Sequence, residues 1–171
     1  MASVFGHGLV AYTIAKVADS ESSKLLVFLA IGSSILPDLD VIGFSIGIEY
    51  LHPLGHRGFT HSVLFALVWS GLLAFFFGTS RKLIFAVVLF LSTLSHGILD
   101  AMTSGGEGVG FLIPFDNTRY FFPFRNIKVS PIGIEKFFSE WGISVLLSEI
   151  QYIAIPCGIV LVIHWLIKKR T

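Results

Sequence analysis

Residues 55–62 read Gly55-His56-Arg57-Gly58-Phe59-Thr60-His61-Ser62, and the run that follows is Val63-Leu64-Phe65-Ala66-Leu67-Val68-Trp69-Ser70-Gly71-Leu72-Leu73-Ala74-Phe75-Phe76-Phe77. The first part sets two imidazoles, a guanidinium and two hydroxyls side by side. The second is apolar except for Ser70. Residues 60–78 are long enough for a membrane helix, which needs roughly 20 residues. Polar groups at the start of such a helix are costly to bury unpaired. The stretch therefore predicts both a membrane-spanning helix and a built polar site at one end of it.

Composition extends this reading to the whole chain. The 171 residues are 54% hydrophobic and 13% charged, with a mean hydropathy of +0.81. A soluble domain carries about 25% charged residues, so the chain is expected to be an integral membrane protein of one domain, residues 1–171. The net charge of +1 says nothing about nucleic acid, but no basic stretch has the length or aromatic interleaving to bind it, so no nucleic-acid partner is expected. The single cysteine, Cys157, lies in an apolar run and reads as a small buried residue. The first residues lack the basic region and cleavage site of a signal peptide.

Four further apolar segments lie to either side. Residues 2–17 make a short helix interrupted by His7-Gly8. Residues 25–44 make a second, with Pro37-Asp38-Leu39-Asp40 at its far end. Residues 83–102 return across the membrane and close on Ser95-His96-Gly97-Ile98-Leu99-Asp100. Residues 143–167 form the last span, with Glu149 inside it. The expected fold is all-α, an integral membrane bundle of about five helices. A polar turn at 18–24 and loops at 45–59 and 103–142 connect them. The last loop carries Phe111, Phe115, Tyr120, Phe121, Phe122 and Phe124 with Arg119 and Arg125, an interfacial composition that fits a membrane anchor or a lid over the site.

Charge orients the bundle. Lys16 and Lys24, then Arg81 and Lys82, then Lys168, Lys169 and Arg170 fall on one side of a five-helix path, and that side is expected to be cytoplasmic. His7, Asp38, Asp40, His56, His61, His96 and Asp100 then all fall on the other face, near headgroup level. Imidazole nitrogen and carboxylate oxygen are ordinary zinc or manganese ligands. His96 and Asp100 are four apart and share one helical face. Asp38 and Asp40 do not share a face, so one would ligate while the other orients a histidine. Seven candidates exceed one tetrahedral site, which leaves room for one or two divalent ions, with zinc as the expected metal. A divalent ion so held would activate water and polarise a phosphoryl or acyl oxygen. Asp38 or Asp40 would serve as general base and Arg57 would stabilise developing charge. His52 and His164 read as ordinary polar residues. Glu149 fits either a functional carboxylate or a helix–helix hydrogen bond.

Leu36-Pro37-Asp38-Leu39-Asp40, His56-Arg57-Gly58-Phe59-Thr60-His61-Ser62 and His96-Gly97-Ile98-Leu99-Asp100 resemble the YdjM family of bacterial and archaeal membrane proteins, described as LexA-regulated or membrane-bound metal-dependent hydrolases. Pro114-Phe115-Asp116, Tyr120-Phe121-Phe122-Pro123 and Val129-Ser130-Pro131 are similar to it as well, so the likeness covers almost the whole chain. It implies a multi-helix hydrolase distantly similar to zinc-dependent phospholipase C, in which a His-x-x-x-Asp pair, an upstream Asp and further histidines hold zinc. By that resemblance His96 and Asp100 are the firmest ligands, followed by Asp38 or Asp40 and His61. The second His/Glu cluster of the soluble enzymes has no counterpart after Asp100.

The resulting expectation is a multi-pass protein of the plasma (inner) membrane with its site on the extracytoplasmic face. It would hydrolyse a phospholipid or another phosphodiester or ester amphiphile, with membrane lipid as its partner. The rival is a divalent-metal binding or transport protein without hydrolase activity. Transport needs polar groups near the bilayer midplane, where the sequence offers only Glu149, Ser70 and Ser92.

Overall fold

The computed structural model describes residues 1–19 and 23–170, with Ile134 and Glu135 followed along the backbone only. Ser20, Glu21 and Ser22 of the polar turn, and the Glu135 side chain, lie outside the described residues. The first three long helices begin where a serine hydroxyl meets an apolar run. Ser3 caps α1 (Val4–Ala18), accepting from Gly6 N–H. Ser23 caps α2 (Lys24–Ile35) through Leu26 N–H. Ser62 caps α3 (Val63–Phe77) through Phe65 N–H at 3.0 Å. These contacts satisfy amide donors that the first turn leaves unpaired.

Two boundaries depart from the apolar pattern. Pro37 has no N–H and cannot continue an α-helix, so α2 passes into 3-10 turns over Leu36–Ile46, which end at Gly47 in the left-handed region (φ 83°). Residues 59–61 form a separate 3-10 turn and Ser62 is extended, so α3 starts at Val63 and not at Thr60. After a short 3-10 turn, α4 (Lys82–Ala101) runs for 20 residues. Past the four-residue helix α5 (Ile134–Phe137), α6 (Glu140–Glu149), a π-helical turn and α7 (Ile155–Lys168) form one continuous rod. Among the described residues there are no strands, only isolated bridges between Thr103 and Ile127 and between Val109 and Tyr120.

Helix α4 is the central element, packed against α1, α2 and α3. Ala11, Ala15, Ala30 and Ala74 meet Leu26, Phe85, Val88 and Leu89 in its core. Small residues let helices approach closely where burial of apolar surface alone does not drive association. Helix α7 rests on α1, and Cys157 is buried there with Ile153, beside Leu9 and Val10. Large apolar side chains face outward, among them Phe28, Phe75, Phe76, Leu83 and Ile167, as lipid-facing helices require. Lys24–Ile46, Thr79–Ala101 and Glu140–Lys168 are long and apolar enough to cross a membrane. Helices α1 and α3, at 15 residues each, are about 22 Å long, shorter than the roughly 30 Å hydrocarbon core.

The antiparallel order sorts the ends. Arg81 NH2 reaches Asp19 Oδ1 at 2.6 Å and ties the α1–α2 and α3–α4 turns together. At the opposite end lie the start of α1, the 3-10 turns after α2, the start of α3 and the end of α4.

Candidate metal centre

That second end gathers the polar residues of the sequence motifs. Asp38 comes from the 3-10 turns, His61 from the turn before α3, and His96 and Asp100 from one face of α4. Their inward atoms lie within 4.8 Å of one another. His61 Nε2 and His96 Nε2 are 3.0 Å apart. Asp38 Oδ1 stands 3.4 Å from His96 Nε2 and 3.9 Å from His61 Nε2. Asp100 Oδ2 stands 3.7 Å from His61 Nε2 and 3.9 Å from His96 Nε2. Zinc bonds of about 2.0–2.1 Å in a tetrahedron place neighbouring donors about 3.4 Å apart, the middle of this range.

The outward atoms fix which nitrogens face the centre. His96 Nδ1 donates to the Ser34 carbonyl at 2.6 Å. A carbonyl only accepts, so Nδ1 carries the proton and Nε2 of the neutral ring is a lone pair. His61 Nδ1 lies 3.2 Å from Asp40 Oδ2, which assigns its proton the same way. Asp38 Oδ1 is buried and accepts no hydrogen bond, and Asp100 Oδ2 is paired with Arg57 Nε at 3.1 Å. Two imidazole nitrogens and two carboxylate oxygens thus converge in a buried site. Such an arrangement calls for a cation, and the residues fit a divalent metal. The carboxylates of Asp38, Asp40 and Asp100 face the Arg57 guanidinium and the Met1 amine, which is 4.0 Å from Asp100 Oδ1. Burial disfavours a charged His61, but the carboxylates of Asp100 and Asp40 outweigh it and hold its pKa up at about 9.

The remaining candidates surround these four. Asp40 Oδ1 accepts from His56 Nδ1 at 2.7 Å. Asp40 Oδ2 accepts from Arg57 N–H and the Thr60 hydroxyl, each at 3.0 Å. Asp40, His56 and His61 also lie close enough to form a second ligand group, but their short contacts are those of a hydrogen-bonded brace. His56 is enclosed edge-on by Tyr50 and Phe44. His7 stacks on His96 with ring centroids 3.8 Å apart, and its Nε2 is 3.4 Å from Asp100 Oδ1. Arg57 is fully buried with φ 61°. Its Nε is 3.1 Å from Asp100 Oδ2, and its NH1 and NH2 donate to Gly105 O and the Thr103 hydroxyl.

Packing holds the parts together. A side chain at Gly97 would press on the His61 carbonyl and Phe111, so this glycine lets the turn carrying His61 lie against α4. The aromatic loop closes over the 50–58 segment: Gly110 N–H donates to Arg57 O, and Arg119 donates to His56 O, Tyr50 O and His52 O. Glu149 is apart from the centre and accepts from Ser3 N–H and Ser3 Oγ. His52 Nδ1 accepts from Leu54 N–H. The sequence reading did not single out Ser34 or Thr103, which act through a carbonyl and a hydroxyl, and it read Thr60 or Ser62 as a cap of the following helix, where Ser62 serves and the Thr60 hydroxyl instead donates to Asp40.

The YdjM inner membrane protein family matches residues 1–171. The chain belongs to this family. Inner membrane protein YbcI of Escherichia coli (strain K12) is 40% identical over 144 residues, which cover 82% of this chain and 83% of that protein. No solved structure matches the chain. The family resemblance in the motifs at 36–40, 56–62 and 96–100 is thereby confirmed, and these three motifs are the ones that meet at the centre of this YdjM-family fold.

Proposed function

We propose that this YdjM-family chain is a metal-dependent hydrolase of the inner membrane. It would be multi-pass, with its centre at the extracytoplasmic headgroup level and a phospholipid or other phosphodiester or ester amphiphile as substrate. The observation that carries the reading is the convergence of Asp38 Oδ1, His61 Nε2, His96 Nε2 and Asp100 Oδ2, two imidazoles and two carboxylates buried at one end of the bundle. These four would hold one divalent ion, zinc by donor set, which would activate water and polarise the reacting oxygen.

The chain's other residues support that centre. Asp40 holds the His61 imidazole in the tautomer that turns Nε2 inward, and the Ser34 carbonyl does the same for His96, the usual support for ligating histidines. With several donors already on it, Asp40 acts as a positioning residue and leaves the general-base role to other groups. Arg57 balances Asp100 and is anchored by Gly105 and Thr103, so it too works through a ligand. Orientation rests on Arg81, Lys82 and Lys168 to Arg170 lying at the end away from the centre. The lipid substrate rests on the position of the centre among apolar helices.

The test is metal analysis of purified protein beside His96→Ala and Asp38→Asn, with turnover of long-chain phosphodiester and ester lipids assayed in parallel. One ion per chain, lost in both variants together with turnover, is the expected result. Full metal retention in both variants would remove the site. A bound ion with no turnover of any lipid would replace hydrolysis with metal binding.

A further inference from the structure

A cleft of about 440 Å³ opens beside the metal centre, between residues 1–5 and residues 130–138. Its volume falls in the range of small-molecule sites, about 300–1,000 Å³. Val4, Phe5, Phe137 and Phe138 give it apolar walls, and Asp38 reaches its lining from the centre. The cleft is built and braced. Ser130 N–H donates to Met1 O at 2.8 Å, Lys128 N–H to the Ser148 hydroxyl at 3.0 Å, and Trp141 Nε1 to Val129 O at 2.9 Å. These bonds clamp the 128–131 segment between the start of α1 and α6. At the rim Phe5 is 68% and Phe138 84% exposed.

We infer that this cleft takes one hydrocarbon chain of a membrane lipid, drawn in sideways from the bilayer, with the lipid's polar linkage set against Asp38. The occupant follows from what the walls offer. A peptide would need partners for its own N–H and C=O groups in an apolar surrounding. Polar groups of the wall are engaged within the chain, Ser3 N–H and Oγ on Glu149 and Ser130 N–H on Met1 O. A hydrocarbon chain asks for no hydrogen bonds and gains by filling the apolar volume. At the inner end, where a lipid turns from chain to headgroup, the lining is Asp38. Assigning a cleavable linkage to that end rests on the hydrolase reading. Occupation by the chain does not.

The experiment uses the full chain in phosphatidylethanolamine–phosphatidylglycerol vesicles doped with a phosphatidylglycerol carrying a diazirine in one acyl chain. After irradiation, adducts are mapped by mass spectrometry and metal per chain is measured on the same samples. Labelling is expected to concentrate on Val4, Phe5, Phe137 and Phe138, to saturate with probe, and to fall at least fivefold in Val4→Trp, which fills the cleft from an exposed position. Metal content should be unchanged in that variant, and Phe138→Ala, which cannot block the cleft, should keep saturable labelling. Labelling that never saturates and is no denser than at Phe75 and Phe76 would overturn the inference, while retained metal and lipid turnover would leave the hydrolase reading standing. Saturable labelling in protein that binds no metal would sustain the cleft and sink the hydrolase.

Discussion

Nε2 of His61 and Nε2 of His96 face each other across 3.0 Å. With their Nδ1 protons committed to Asp40 and to the Ser34 carbonyl, the neutral rings have no proton to share. Two lone pairs at that distance, flanked by Asp38 and Asp100, stay together only if a proton or a metal ion lies among them. This separates two classes of variant. Asp38→Asn and His96→Ala remove a donor and should abolish metal binding. Asp40→Asn keeps all four ligand atoms and weakens the brace that holds the His61 ring, so it should weaken binding by about 10–100-fold. Metal competition against a chelator of known affinity checks this. Equal loss in Asp38→Asn and Asp40→Asn would mean that both carboxylates ligate.

The competition between proton and metal has a pH signature. The His61 pKa is raised from 6.5 to about 9, so near pH 7 the metal-free ring is charged and an incoming ion must displace its proton. Apparent affinity should rise about tenfold per pH unit, one proton being released per ion, and flatten as pH approaches about 9. Calorimetry in two buffers of different ionisation enthalpy counts the protons. For metal-free protein the sign reverses. Stability contributed by the charged ring is fully present below about 6.5 and is lost as pH rises towards 9. A metal affinity that stays flat between pH 6.5 and 8.5 would rule out His61 as the group that changes state.

Arg57 is a structural commitment. Its guanidinium is buried against Asp100, and Gly106 sits on it in the left-handed region (φ 87°), where an added side chain would collide with Arg57 NH1. Arg57→Met in chelator-treated protein removes the guanidinium paired with the buried Asp100 and should cost about 3–5 kcal/mol. Gly106→Ala, strained in its backbone and forced onto Arg57, should cost about 1 kcal/mol or more. Denaturant unfolding in mild detergent measures both. A metal-free Arg57→Met protein as stable as the parent would show that Asp100 does not depend on this pair.

The parts of this fold that were legible in the sequence are those governed by periodic or local chemistry. Apolar runs placed the five long helical segments, and the i, i+4 spacing put His96 and Asp100 on one face of α4. The one-sided clustering of His7, Asp38, Asp40, His56, His61, His96 and Asp100 followed from alternating the spans, and the structure brings the central four of them together. The split between Asp38 and Asp40 was stated as a choice, and the 3-10 turns after Pro37 aim the two carboxylates at opposite sides of His61, Asp38 towards Nε2 and Asp40 towards Nδ1. What stayed hidden depends on contacts between distant segments. Nothing local reveals that Arg57 would be fastened to Thr103 and Gly105, or that residues 130–138 would fold back on residues 1–5 to form a cleft. Neither segment has a pattern that names its partner.

The end of the bundle that carries the centre can be assigned to a membrane face. Leu54 is 56% exposed in the loop that leads to His56, whereas Ser80 is exposed in the turn at the opposite end, beside the Asp19–Arg81 pair. The only native thiol, Cys157, is buried and can be replaced by alanine to clear the background. In that background Leu54→Cys should react in intact cells with a maleimide that does not cross the inner membrane. On the proposed orientation, in which the positive charge of Arg81 and Lys82 marks the cytoplasmic side, Ser80→Cys should react only after permeabilisation. The reverse pattern would place the four donors on the cytoplasmic face, and any lipid substrate would then come from the inner leaflet. Labelling of both sites from one side would mean that α3 and α4 form a re-entrant hairpin, a real alternative because α3 is only about 22 Å long.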